Sequence, residues 1–122
     1  MSRSFVRIAA APVLLAAFAF PQMARAHAVL VDSTPKANET VHGPSIQIHL
    51  KFNSRVDGAR STVQLALEDG SVHTLELSSQ ATQDEIVTHA DGLSKGSYSI
   101  RWQALSSDGH LTRGQIPFLV DK

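Results

Sequence analysis

The chain has 122 residues, 43% of them hydrophobic and 18% charged, with eleven basic residues against eleven acidic ones and no cysteine. The lack of cysteine excludes disulfides, thiolate metal sites and thiol chemistry. Acidic residues outnumber basic ones from residue 27 onward, eleven to eight, which argues against nucleic acid as a partner.

Residues 1–26 read as a secretory signal peptide. Arg3 and Arg7 form a basic start, residues 8–20 an apolar run, and Ala24-Arg25-Ala26 a small-residue cleavage site. The run is shorter than the about 20 apolar residues that span a bilayer, and no second run follows, so the mature chain is expected outside the cytoplasm with no membrane insertion. Cleavage after Ala26 leaves residues 27–122, enough for one small domain. That segment keeps eight basic against eleven acidic residues, a net charge of −3, and loses both methionines, Met1 and Met23.

In chain order, residues 28–31 supply a short first strand. Residues 45–52, SIQIHLKF, alternate Ile46, Ile48, Leu50 and Phe52 against polar neighbours, the pattern of a strand buried on one face. Residues 62–68 turn inward Val63, Leu65 and Leu67, and an Asp69-Gly70 turn leads into residues 71–79 as a hairpin. Residues 85–88 form a further strand. Residues 96–105 point Tyr98, Ile100 and Trp102 inward, and residues 115–120 do the same with Ile116, Phe118 and Val120. Pro117 lacks an N–H and predicts an edge strand or a bulge there. Six to seven strands without an amphipathic helix predict an all-β fold, a small antiparallel Greek-key barrel or sandwich.

Two places could carry chemistry. After cleavage His27 is the first residue, and its α-amine and imidazole Nδ1 can close a chelate ring on one metal ion. In Asp108-Gly109-His110, the two-residue spacing brings a carboxylate and an imidazole to one side of an extended segment. Nitrogen and oxygen donors without sulfur suit Cu(II), and at equal ligands the Irving–Williams order favours copper over zinc. The plainer alternative is that His27 merely follows the cut and the Asp-His pair is a surface loop. His42, His49 and His89 read as solvated side chains.

From His27 onward, HAVLVDSTPKANETV resembles the opening of the periplasmic copper-binding CopC family, and YSIRWQALSSDGHLTRGQIPF resembles its C-terminal strands and connector. The resemblance implies a cupredoxin-like Greek-key fold and a monomer that binds one Cu(II) per chain for copper homeostasis or resistance. It implies His27 and His110 as metal ligands, with Asp108 a ligand or close anchor, and a copper-transporting inner-membrane protein of the CopD type as partner. Some members carry a methionine-rich Cu(I) loop. Here the matching stretch, ALEDGSVHTLELSS, has no methionine, and His73 alone stands roughly where that loop's histidine does, so the resemblance points to a Cu(II)-only member. Two other readings compete: a small oxidative enzyme using an amino-terminal histidine brace on copper, and a structural immunoglobulin-like domain without metal.

Overall fold

The computed structural model describes residues 27–121, and the expected signal peptide lies outside them. Eight strands follow in order: β1 (Leu30–Thr34), β2 (Glu39–Val41), β3 (Ile46–Phe52), β4 (Val56–Leu67), β5 (Val72–Thr74), β6 (Glu85–Ala90), β7 (Gly96–Ser106) and β8 (Leu111–Val120). They form a three-stranded sheet, β1-β3-β6, and a five-stranded sheet, β2-β8-β7-β4-β5. Period-two alternation predicted an all-β barrel or sandwich, and the two-sheet sandwich is the form observed. No helix among the described residues is long and apolar enough to cross a membrane.

Alternation works because successive side chains of a strand face opposite sides, and each sheet turns its apolar row inward. Ile48, Leu50 and Phe52 of β3 and Ile86 of β6 meet Val63, Ile100 and Phe118 of the other sheet, all at most 1% exposed. The Phe52 ring stands edge-on to Trp102 at 5.3 Å, and Tyr98 stacks on Phe118 at 5.6 Å. The Tyr98 hydroxyl donates to the Ser94 carbonyl, which satisfies its one polar end.

Several details differ from the expectation. The hairpin strand expected over 71–79 is only Val72–Thr74, and the one expected over 85–88 runs to Ala90. The first strand starts at Leu30 and runs to Thr34, not over 28–31. β4 begins at Val56, six residues early, because Ser61 repairs the irregularity between Asp57 and Thr62: its hydroxyl donates to the Asp57 carbonyl and accepts from Leu105 N–H. β2 is a three-residue strand absent from the sequence reading, and it pairs with β8 in parallel rather than antiparallel. Finally, β8 is not an edge strand at Pro117, since it lies between β7 and β2. Pro117 is tolerated because a residue's nitrogen and carbonyl face the same strand edge. That carbonyl accepts from Asn38 N–H at 2.6 Å on the β2 side, so the missing donor costs the β7 ladder nothing.

Trp102 lies directly across from Gly114 in the β7–β8 ladder. A Cβ at Gly114 would stand 2.6 Å from the indole Cζ2, so only glycine lets the ring lie flat on the neighbouring strand. Gly114→Ala should therefore overpack this corner and destabilise the domain by about 1–3 kcal/mol in urea unfolding, with the Trp102 ring displaced. Unchanged stability would mean that the indole is free to move aside.

Candidate metal centre

β7 ends at Ser106, which continues the inward row of Tyr98, Ile100, Trp102 and Ala104 and is 2% exposed. From there the chain reverses through Gly109, whose φ of +90° is a conformation that glycine adopts without strain. Gly109 N–H donates to the Ser106 carbonyl and Ser106 N–H to the His110 carbonyl, closing the connector. Inside this turn the Asp108 carboxylate is fully engaged. Its Oδ1 accepts from the Ser106 hydroxyl and from His110 N–H at 3.2 Å, and its Oδ2 lies 2.8 Å from His110 Nδ1. These bonds to the ionised form, the Ser106 hydroxyl first, hold the Asp108 carboxyl down at about 2. With Nδ1–H donated to the carboxylate, His110 keeps Nε2 as its lone-pair nitrogen.

His27 arrives from the other end of the chain. Ala28 is wholly buried, and its carbonyl accepts from the Thr112 hydroxyl at 2.9 Å. Val29 is gripped on both backbone groups by Asn53: its N–H donates to Oδ1, and its carbonyl accepts from Asn53 N–H, each at 2.9 Å. The segment thus runs beside the start of β8, and the His27 and His110 ring centroids stand 4.8 Å apart at 65°. Imidazole nitrogens bind a divalent ion at about 2.0 Å, which sets two cis imidazoles on one ion with centroids on the order of 4.5 Å apart. The spacing fits that arrangement.

Asp108 faces His110 rather than the space between the rings, and among the described residues no three His, Asp or Glu side chains gather closely enough to hold an ion. Two imidazoles are thus brought together, and any further donor at this place has to come from the backbone or from a rearranged Asp108.

His42, His49 and His89 are solvated side chains, as expected, each with a carboxylate beside it. His42 lies 2.8 Å from Asp121, His49 lies 3.0 Å from Glu85, and His89 lies 3.3 Å from Asp91. Among the described residues, none of these rings meets another imidazole as His27 meets His110. His73 lines a separate cleft with His89 and Asp91, away from the His27 ring.

Sequence reasoning missed Ser106, Thr112 and Asn53. Ser106 carried a signal, a polar residue on the inward parity of β7. Thr112 and Asn53 carried none, because each acts through a contact made only after the sheets pack.

Comparison with known proteins adds an independent line. A CopC domain model matches residues 30–121. The chain is 30% identical over 105 residues to the "Copper transport protein CutJ" of Bacillus subtilis, covering 84% of this chain but only 19% of that protein. It is 29% identical over 124 residues to "Copper resistance protein C" of Pseudomonas syringae pv. tomato, with 96% of this chain and 94% of that one covered. The crystal structure of CopC from Methylosinus trichosporium OB3b superimposes with a TM-score of 0.70 at 32% identity, over 78% of this chain and 94% of that one.

Because the folded Asp108 value is depressed, its contribution to stability is fully present above the ordinary carboxyl value of 3.8 and is lost as pH falls through about 2. In chelator-treated protein, carboxyl NMR should find the Asp108 midpoint at about 2, and Ser106→Ala should move it up toward 3.8. A midpoint unmoved by that substitution would show that the serine is not the main cause.

Proposed function

Since the chain belongs to the CopC family, we propose that it binds one Cu(II) outside the cytoplasm through an amino-terminal site made by signal cleavage. His27 supplies its α-amine and ring nitrogen, His110 supplies Nε2, and Asp108 orients His110. The observation that carries this reading is the 4.8 Å spacing of two imidazoles from opposite ends of the chain.

Cleavage after Ala26 turns the nitrogen of His27 from an amide into a basic amine, so export would also create the ligand. The chain from His27 onward contains neither cysteine nor methionine, which leaves Cu(I) without its preferred sulfur donors and favours Cu(II). Bound copper would be cargo. The His110 side chain is 61% exposed, an arrangement suited to capture and release at the surface. The role would be copper homeostasis or resistance in the periplasm, by a monomer that serves no catalytic turnover and hands the ion to a membrane transporter of the CopD type. Support for that partner comes from the family resemblance.

Amines and imidazoles bind metal only when unprotonated, so acid should release the ion. His110→Ala should lower Cu(II) affinity by more than about 100-fold, and Asp108→Asn, which removes only the orienting partner, by about 10–100-fold. His49→Ala and His89→Ala should have little effect. One extra residue before His27 should leave the fold intact, weaken Cu(II) binding and change the electron paramagnetic resonance spectrum. Equal affinity and spectrum for the extended and His27-start proteins would rule out the amine as a ligand.

A further inference from the structure

The outward face of the five-stranded sheet carries a feature that copper binding leaves unused. Two rows cross β4, β7 and β8 in register: Thr62, Gln103 and Arg113 in one, Gln64, Arg101 and Gln115 in the next. They line a shallow groove of about 300 Å³. Arg101 and Arg113 are diagonal neighbours on adjacent strands, which roots two guanidiniums about 7–8 Å apart on one face. Like charges so placed repel each other.

Among the described residues, no carboxylate lies within ion-pair distance of them. Lys36, Lys51 and Arg60 each have an Asp or Glu partner, whereas Arg101 and Arg113, like the isolated Arg55 and Lys95, do not. The two rows, and the adjoining row of Ala66, Ser99 and Pro117, contain no acidic residue at all. This concentration stands out because residues 27–122 carry a net charge of −3.

We propose that this face is a docking surface for an extended acidic segment of a partner protein, with carboxylates two residues apart. Side chains at alternate positions of an extended chain lie about 7 Å apart on one side, which matches the diagonal spacing at which the two arginine side chains are rooted. The glutamine amides around them can both donate to and accept from a peptide backbone. A single small anion is a poor occupant. Exposed guanidiniums hold one carboxylate or phosphate weakly in water, so recognition needs several contacts made together. Arg113 stands three residues beyond His110, so a partner seated here would lie alongside the candidate metal centre while engaging residues that have no part in it.

The test is an NMR titration of the 15N-labelled protein with the peptide Glu-Thr-Glu-Thr-Glu-Thr, its Gln-for-Glu analogue, and inorganic phosphate. The acidic peptide should shift Thr62, Gln64, Arg101, Gln103, Arg113 and Gln115 selectively. Its affinity should fall by about tenfold or more between low salt and physiological salt, and again in the Arg101→Gln/Arg113→Gln double variant. Both arginines are exposed, so the variant should keep its amide spectrum and its Cu(II) affinity, and the single variants provide a check on folding. The proposal is overturned if the shifts centre on Arg55 or Lys95, if the double variant binds the peptide as tightly, or if the Gln analogue binds equally. It is also overturned if phosphate matches the peptide, which would make the face a small-anion site. Loss of Cu(II) binding in His110→Ala with peptide binding retained would separate the two readings.

Discussion

Three hydrogen bonds just behind His27 are the constraint on which the rest of the candidate centre depends. Chain ends ordinarily fray, and an imidazole on a frayed end would sample many positions relative to His110. Thr112 takes the carbonyl of Ala28, and Asn53 takes both backbone groups of Val29, so the segment is fixed from both sheets at once. Each such bond contributes on the order of 1 kcal/mol net, yet together they hold the ring within reach of a residue more than eighty positions away. The sandwich brings the two ends together in folding itself, so a bound ion need not close that loop again.

The same logic separates one histidine from its look-alikes. Four imidazoles lie near carboxylates, but pairing with Asp or Glu only sets a tautomer and an orientation. His42, His49 and His89 are oriented toward nothing that shares their work. For His110 the carboxylate is itself anchored by a buried serine, and a second imidazole stands opposite. Orientation becomes useful only where a second donor converges.

Much of this was legible in the chain before any coordinates. Period-two runs such as residues 46–52 and 96–105 encode a one-sided burial that no other common structure satisfies, so β3, β7 and the inward Trp102 could be read directly. Residues 56–61 could not, because Asp57-Gly58 has the composition of a turn and becomes strand only through Ser61 bonding across to Leu105. β2 was equally hidden, since three residues show no periodicity and parallel pairing with β8 depends on tertiary position. At the centre, His27 and the Asp-x-His connector announced themselves by chemistry and by resemblance to a family. The supports did not: Asn53 and Thr112 are ordinary polar residues until the sheets pack.

β2 covers β8 only from Phe118 to Val120, so among the described residues the opening half of β8 pairs with β7 alone. An unpaired strand edge is a template on which another chain can grow, the first step of aggregation in many β proteins. Here that exposed margin coincides with the place where two imidazoles are left open to solvent. The protein blunts it without closing it. Arg113 and Gln115 present polar side chains, and the Thr112 hydroxyl meets the incoming chain at the Ala28 carbonyl. Accessibility to a small ion is thereby kept apart from accessibility to a growing fibril.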